Sequence, residues 1–220
     1  MLQKLYKNRF EIFFFSQITI LFGALIFPPS FFETILSPVL FIINVLAGIL
    51  LISKNKKITW FFIVLLIVSG ISFGSNAIEG NSNKPSNFIR LIAYFLFYVV
   101  VVFQLIKQVW RAKIVSKNVI FGLVSGYISL GLIGFFICIS IEMVHPGAFH
   151  GITTLTSEPI TEQLMYFSYI TLLTIGYGDI YPITALAHKA TILIGLMGQI
   201  YLVVITAIVV GKYINQKANT

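Results

Sequence analysis

The sequence predicts an all-α membrane protein: six transmembrane helices, plus one re-entrant half-length helix that leads into an extended, glycine-containing segment. Three observations predict it. Hydrophobic residues make up 58% of the chain against 10% charged, far from a water-soluble balance. Six apolar runs approach the ~20 residues needed to cross a hydrocarbon core. Lysine and arginine gather in alternate gaps between those runs. The net charge of +8 is therefore read as membrane topology, and no nucleic-acid partner is expected. Cys138, the single cysteine, sits inside an apolar run as a small hydrophobe, which excludes a disulfide framework.

In chain order the runs are 10–27, 34–53, 58–73, 88–106, 118–141 and 185–211. The first ends at Pro28-Pro29 without a small-residue cleavage pattern, so it is expected to remain as an anchor. Lys4, Lys7 and Arg9 precede it; Lys54, Lys56 and Lys57 follow the second run; Lys107, Arg111, Lys113 and Lys117 follow the fourth; Lys212 and Lys217 follow the sixth. Glu33, Glu79, Glu142, Glu158 and Asp179 fall in the opposite loops. Both termini are thus expected in the cytoplasm of a protein integral to the plasma membrane.

Between the fifth and sixth runs lies a seventh apolar segment, 159–173, which as a helix rises only about 22 Å and is too short to cross. Ser157 is expected to cap it, Pro159 to occupy its first turn, and Glu158 and Glu162 to complement the positive end of its dipole. Directly after it come Thr174, Ile175, Gly176, Tyr177, Gly178 and Asp179. Non-helical backbone at membrane depth is tolerated only where protein buries it or water runs beside it. Glycines at alternate positions permit backbone angles that side-chained residues resist, so that consecutive carbonyls can turn toward one axis.

The stretch SYITLLTIGYGDIYP, 168–182, resembles the pore loop of tetrameric potassium channels. The resemblance implies a pore helix followed by a selectivity filter. In it the carbonyls of Thr174, Ile175, Gly176 and Tyr177, with the Thr174 hydroxyl, replace the hydration shell of K+, and Gly178 closes the motif. One such loop per chain implies a homotetramer, three further copies around one axis, with K+ as the permeant ion and no other cofactor. Tyr177 is expected to point away from the ion path and pack with Tyr166 and Phe167 as filter support, and Asp179 to sit at the outer mouth. The pore helix is expected to aim its negative end at the central cavity. Leu173 stands where many members have a second threonine, and Ile170 where some bacterial relatives have a glutamate.

Gly195 and Gly198 interrupt the sixth run. Gly198 is favoured as a gating hinge over the alternative that both glycines permit close packing. Gln199 and Thr206 either line the cavity or bond a neighbouring helix. His145 and His150 are read as a solvated outer loop rather than a metal site, and His188 as an interfacial side chain. No nucleophile, base and orienter stand together, so an enzyme is not expected.

The chain accordingly divides into a four-helix, sensor-like peripheral domain at 1–117 and a pore domain at 118–220, the former resembling the peripheral domain of six-helix channels in count and order alone. Residues 107–117 take the place of the linker between them. The fourth run contains only Arg90, whereas a voltage sensor repeats arginine at every third position, so strong voltage activation is not expected. The short tail after Gly211 leaves no room for a regulatory domain.

Overall fold

The computed structural model describes residues 6, 8–28, 31–52, 56–79, 84–112, 114–153 and 159–218. Lys4, Lys7, Lys54, Lys113, Ser157 and Glu158 lie outside them, as does the side chain of Arg90.

All six apolar runs carry helix. α1 is Arg9–Phe22, ending in a tight 3₁₀ turn at Gly23–Leu25. A π-helical turn, Phe32–Leu36, leads into α2, Ser37–Ile52. α3 is Lys56–Glu79, α4 Lys84–Arg111 and α5 Lys117–Val144. A strand β1, Phe149–His150, precedes the short helix α6, Ile160–Leu172. After β2, Tyr181–Pro182, come α7, Ala185–Ile200, a π-helical turn at Tyr201–Ile205, and α8, Thr206–Ala218. Among the described residues, three helical stretches are long and apolar enough to cross a membrane: Leu91–Arg111, Lys117–Val144 and Ala185–Ala218. The architecture is that of an all-α membrane protein, although length and hydropathy single out only these three spans.

Two boundaries differ from those the hydropathy pattern suggests. α4 continues past 106 to Arg111, because Lys107, Gln108 and Arg111 are good helix formers, and the apolar pattern marks lipid-compatible residues rather than the helix end. Pro159 is the N-cap of α6, in an extended conformation, instead of a first-turn residue, while Glu162 does stand in the first turn.

The chain forms two compact units, Met1–Ser125 and Gly126–Thr220. The division falls inside α5. Its first turns belong to the first unit because Lys117 pairs with Glu11 at 3.0 Å, Phe121 packs on Phe14, and Gly122 lies under the Phe10 ring.

In the first unit α1 packs on α2, α2 on α3 and α3 on α4. Phe13, Phe62, Phe97 and Tyr98 are fully buried, and Phe97 meets both Phe62 and Tyr98 at ring separations of 4.9 Å. Through this apolar core runs one polar chain. The Tyr98 hydroxyl donates to Asn44 Oδ1 at 2.8 Å, Asn44 Nδ2 donates to Ser16 Oγ at 2.7 Å, and Ser16 Oγ donates to the Phe13 carbonyl at 2.8 Å. Helices surrounded by lipid gain no hydrophobic advantage from touching one another, so such bonds and close packing fix which faces meet. Tyr98→Phe is expected to lower the unfolding free energy by about 1 kcal/mol in a detergent titration. An unchanged midpoint would mean that the chain of bonds contributes no stability.

Candidate functional site

In the second unit everything converges on residues 173–179. α6 ends at Leu172, and the next residues turn back on it. Leu173 N–H donates to the Tyr169 carbonyl at 2.8 Å, and Thr174 N–H to Thr171 at 3.0 Å. Ile175 and Gly176 N–H both donate to Ile170, at 2.9 and 3.3 Å. The last carbonyls of the short helix, orphaned in an ordinary helix end, are thereby capped by the amides of the extended segment. The negative end of the helix dipole is thus partly met by these amides before it reaches any cavity.

The backbone of that segment alternates. Thr174, Gly176 and Gly178 have φ of +58°, +55° and +83°, while Ile175 and Tyr177 between them do not enter the positive region. Glycine accepts this at no steric cost. Threonine does not: a β-branched residue there is an outlier, at a strain of order 1–3 kcal/mol. Alternating handedness directs successive amides to one side and successive carbonyls to the other. The amide side is occupied by α6. The carbonyls of Thr174, Ile175, Gly176 and Tyr177 accept no hydrogen bond among the described residues. The Thr174 hydroxyl donates to the Leu173 carbonyl at 2.7 Å, which leaves its oxygen lone pairs available.

Several contacts hold α6 in place. Ser168 Oγ donates to the Gly131 carbonyl at 2.8 Å, and the Tyr169 hydroxyl to the Ile128 carbonyl at 2.7 Å. The Tyr127 hydroxyl donates to the Leu172 carbonyl at 3.2 Å. On the α7 side a Cβ on Gly198 would lie 2.5 Å from that same carbonyl oxygen. Gly198 is therefore required for close packing whether or not α7 bends there, whereas Gly195 faces open space. The irregularity in this helix lies just beyond, in the π-helical turn that begins at buried Tyr201. Gln199 and Thr206 are both exposed in the single chain.

Above the segment, β1 and β2 pair antiparallel, Phe149 opposite Pro182 and His150 opposite Tyr181, with the His150 and Tyr181 rings stacked at 4.7 Å. Glu142 accepts from the Gly147 and Phe149 amides, and Gln163 makes a reciprocal pair with the backbone of Thr153 at 2.9 and 2.8 Å. Gly151, at φ +90°, touches the Asp179 carbonyl so closely that a Cβ would overlap it. His188 Nε2 lies 3.0 Å from the Pro182 carbonyl, and His145 is exposed.

The two expected filter-support residues act differently from one another. Phe167 is buried and meets Phe149 of the outer loop at 5.2 Å, not Tyr177. Tyr166 donates from its phenol to Asp179, and this hydrogen bond, ahead of burial and the Asp179 charge, raises the phenol pKa above its ordinary value of 10.0. Tyr177 is 73% exposed in the single chain. Residue-by-residue reading missed Glu142, Gln163 and Tyr127. Each is one polar side chain whose partner is distant backbone, and only the alternation of glycines gave a local signal.

With this geometry in view, the ion channel family model Ion_trans_2 matches residues 147–215, from the outer loop through the extended segment into α8. No curated protein and no solved structure matches the chain. The matched span contains both the capped helix end and the alternating backbone, and it supports membership of an ion channel family.

The packing predicts opposite behaviour of the two glycines of α7. Gly198→Ala is expected to destabilise the folded protein by about 1–3 kcal/mol through overpacking on Leu172. Gly195→Ala, in open space, should hold or raise stability by up to ~1 kcal/mol through helix propensity. Thermal melts of both variants measure this, and equal effects would refute the packing assignment.

Proposed function

We propose that this chain is one subunit of a homotetrameric, potassium-selective channel that conducts K+ passively, with the filter at Thr174, Ile175, Gly176, Tyr177 and Gly178. The observation that carries this reading is the row of carbonyls at 174–177, turned away from the helix that holds their amides and left without donors among the described residues. In an apolar solvent, unpaired backbone oxygens cost several kcal/mol each. A row of them is stable only if something cationic or polar satisfies it. Carbonyl rings around a dehydrated K+ do so, and one strand per chain supplies one quarter of each ring.

The tetramer is supported further by the inner helix. Only 28% of the most apolar window in Ala185–Ala218 is buried within the chain, which leaves a long apolar face for neighbouring copies and lipid. Asp179, tied to Tyr166, sits at the outer mouth and raises the local cation concentration. The remainder of the proposal is a six-span subunit of the plasma membrane with both termini in the cytoplasm, needing no cofactor beyond the permeant ion. The ion channel match fits a non-enzymatic role.

Two electrical outcomes are expected of the purified protein in planar bilayers. Under opposed potassium and sodium gradients the reversal potential should lie near the potassium equilibrium value. Gly176→Ala or Gly178→Ala, forcing a Cβ into the positive-φ region, should abolish that preference. Equal permeability of the two ions in the unaltered protein would falsify the reading.

The second outcome concerns voltage. One elementary charge moved through 100 mV supplies about 2.3 kcal/mol, and 88–106 carries Arg90 alone. Conductance should therefore vary shallowly from strongly negative to strongly positive potentials. A steep activation curve that flattens in Arg90→Gln would instead make the first four helices a working sensor.

A further inference from the structure

One end of the first unit contains a basic cavity that conduction does not use. It measures about 550 Å³ and is bounded by the start of α1, the last turns of α4, the linker after it and the start of α5. Arg9, Lys107 and Arg111 line it together with Gln104, Gln108 and Asn118, and no acidic residue does. None of the three cations makes an ion pair among the described residues. The acid on this part of α1, Glu11, is already paired with Lys117.

Arg9 is held as if presented. Its guanidinium lies over the rings of Tyr6 and Phe10, 4.2 and 4.7 Å from their centroids, and Nη1 donates to the Tyr6 carbonyl at 2.9 Å. Its Nε is buried with no hydrogen-bond partner. Burying such a donor without an acceptor is costly, and an anion in the cavity would satisfy it.

A second hollow of about 400 Å³ shares Gln104, Lys107 and Arg111 with the first, and its remaining walls are Phe103, Ile106 and Trp110. Phe103 and Trp110 are 70% and 59% exposed. Three cations therefore border a polar cavity on one side and an apolar, aromatic groove on the other. A soluble anion would use only the first. A molecule with a phosphate at one end and a hydrocarbon chain at the other would use both.

We propose that this end of the first unit binds one anionic phospholipid, with its phosphate group among Arg9, Lys107 and Arg111 and an acyl chain along Phe103, Ile106 and Trp110. The inference goes beyond conduction and takes from that reading only the placement of this end at a membrane surface, where basic pockets between helices attract acidic headgroups.

The test uses the full chain with Trp60→Phe, an exposed site, so that Trp110 becomes the sole tryptophan. The protein is reconstituted in phosphatidylcholine vesicles containing equal fractions of either dibrominated phosphatidylglycerol or dibrominated phosphatidylcholine. Quenching of Trp110 should favour the anionic lipid by about fivefold or more, and the preference should vanish in Lys107→Gln/Arg111→Gln. Should that double variant fail to fold by circular dichroism, Lys107→Gln alone, at an exposed side chain, should reduce the preference. Equal quenching by both lipids overturns the proposal, as does a folded variant that keeps the full preference. Loss of the preference on adding excess inorganic phosphate at matched ionic strength also overturns it, because the occupant is then a free anion. The readout involves no ion flux, so it stands or fails separately from conduction.

Discussion

The amides of residues 173–176 and the last carbonyls of α6 complete one another, and the second unit is organised around that exchange. A helix that stops inside a protein leaves carbonyls without partners, and a strand outside any sheet leaves amides without partners. Folding the strand back under the helix removes both deficits at once, and only the strand's carbonyls are left over. Thr174 must then adopt a backbone conformation that its branched side chain resists, so the strain is imposed by the hydrogen bonds of Ile175 and Gly176 beyond it. The remaining features of the unit stiffen this arrangement. Leu172 is fixed from two sides, by the Tyr127 hydroxyl on its carbonyl and by the absent side chain of Gly198. The loop above is tied through Glu142, Gln163 and the Gly151 contact to Asp179.

What could be read from the sequence follows from how local each cause is. The six apolar runs and the half-length helix were legible because hydropathy is a property of the residues themselves. Gly176 and Gly178 were legible because glycine at alternate positions has a backbone reason to be there. Thr174 was not legible as a strained residue, since its conformation is set by amides further along the chain closing onto Ile170. The close seat of Gly198 was open to two readings, a bend or a contact, and only the position of the Leu172 carbonyl distinguishes them. Glu142 and Gln163 looked like ordinary polar residues of an outer segment, because bonds to distant backbone leave no pattern in the sequence.

The first unit shows the complementary limitation. Asn44 stood out as a polar residue in an apolar run, yet its partners Ser16 and Tyr98 come from other helices and could not be inferred from spacing. The end of α4 was placed too early because lysine and arginine end a hydropathy run without ending a helix. That extra helical length carries Lys107 and Arg111 in regular register, one helical turn apart, where a flexible linker would have scattered them.

The π-helical turn at Tyr201–Ile205 has a consequence for how this part of the chain compares with others. Such a turn takes one residue more than an α-turn, and each α-helical residue advances about 100° around the axis. Every side chain from Thr206 onward is therefore rotated by about one residue's angle from where a straight continuation of α7 would put it. A face counted outward from Gly198 at regular helical spacing misassigns the residues of α8. A sequence that forms an uninterrupted helix here would align with this one only across a one-residue gap placed within 201–205.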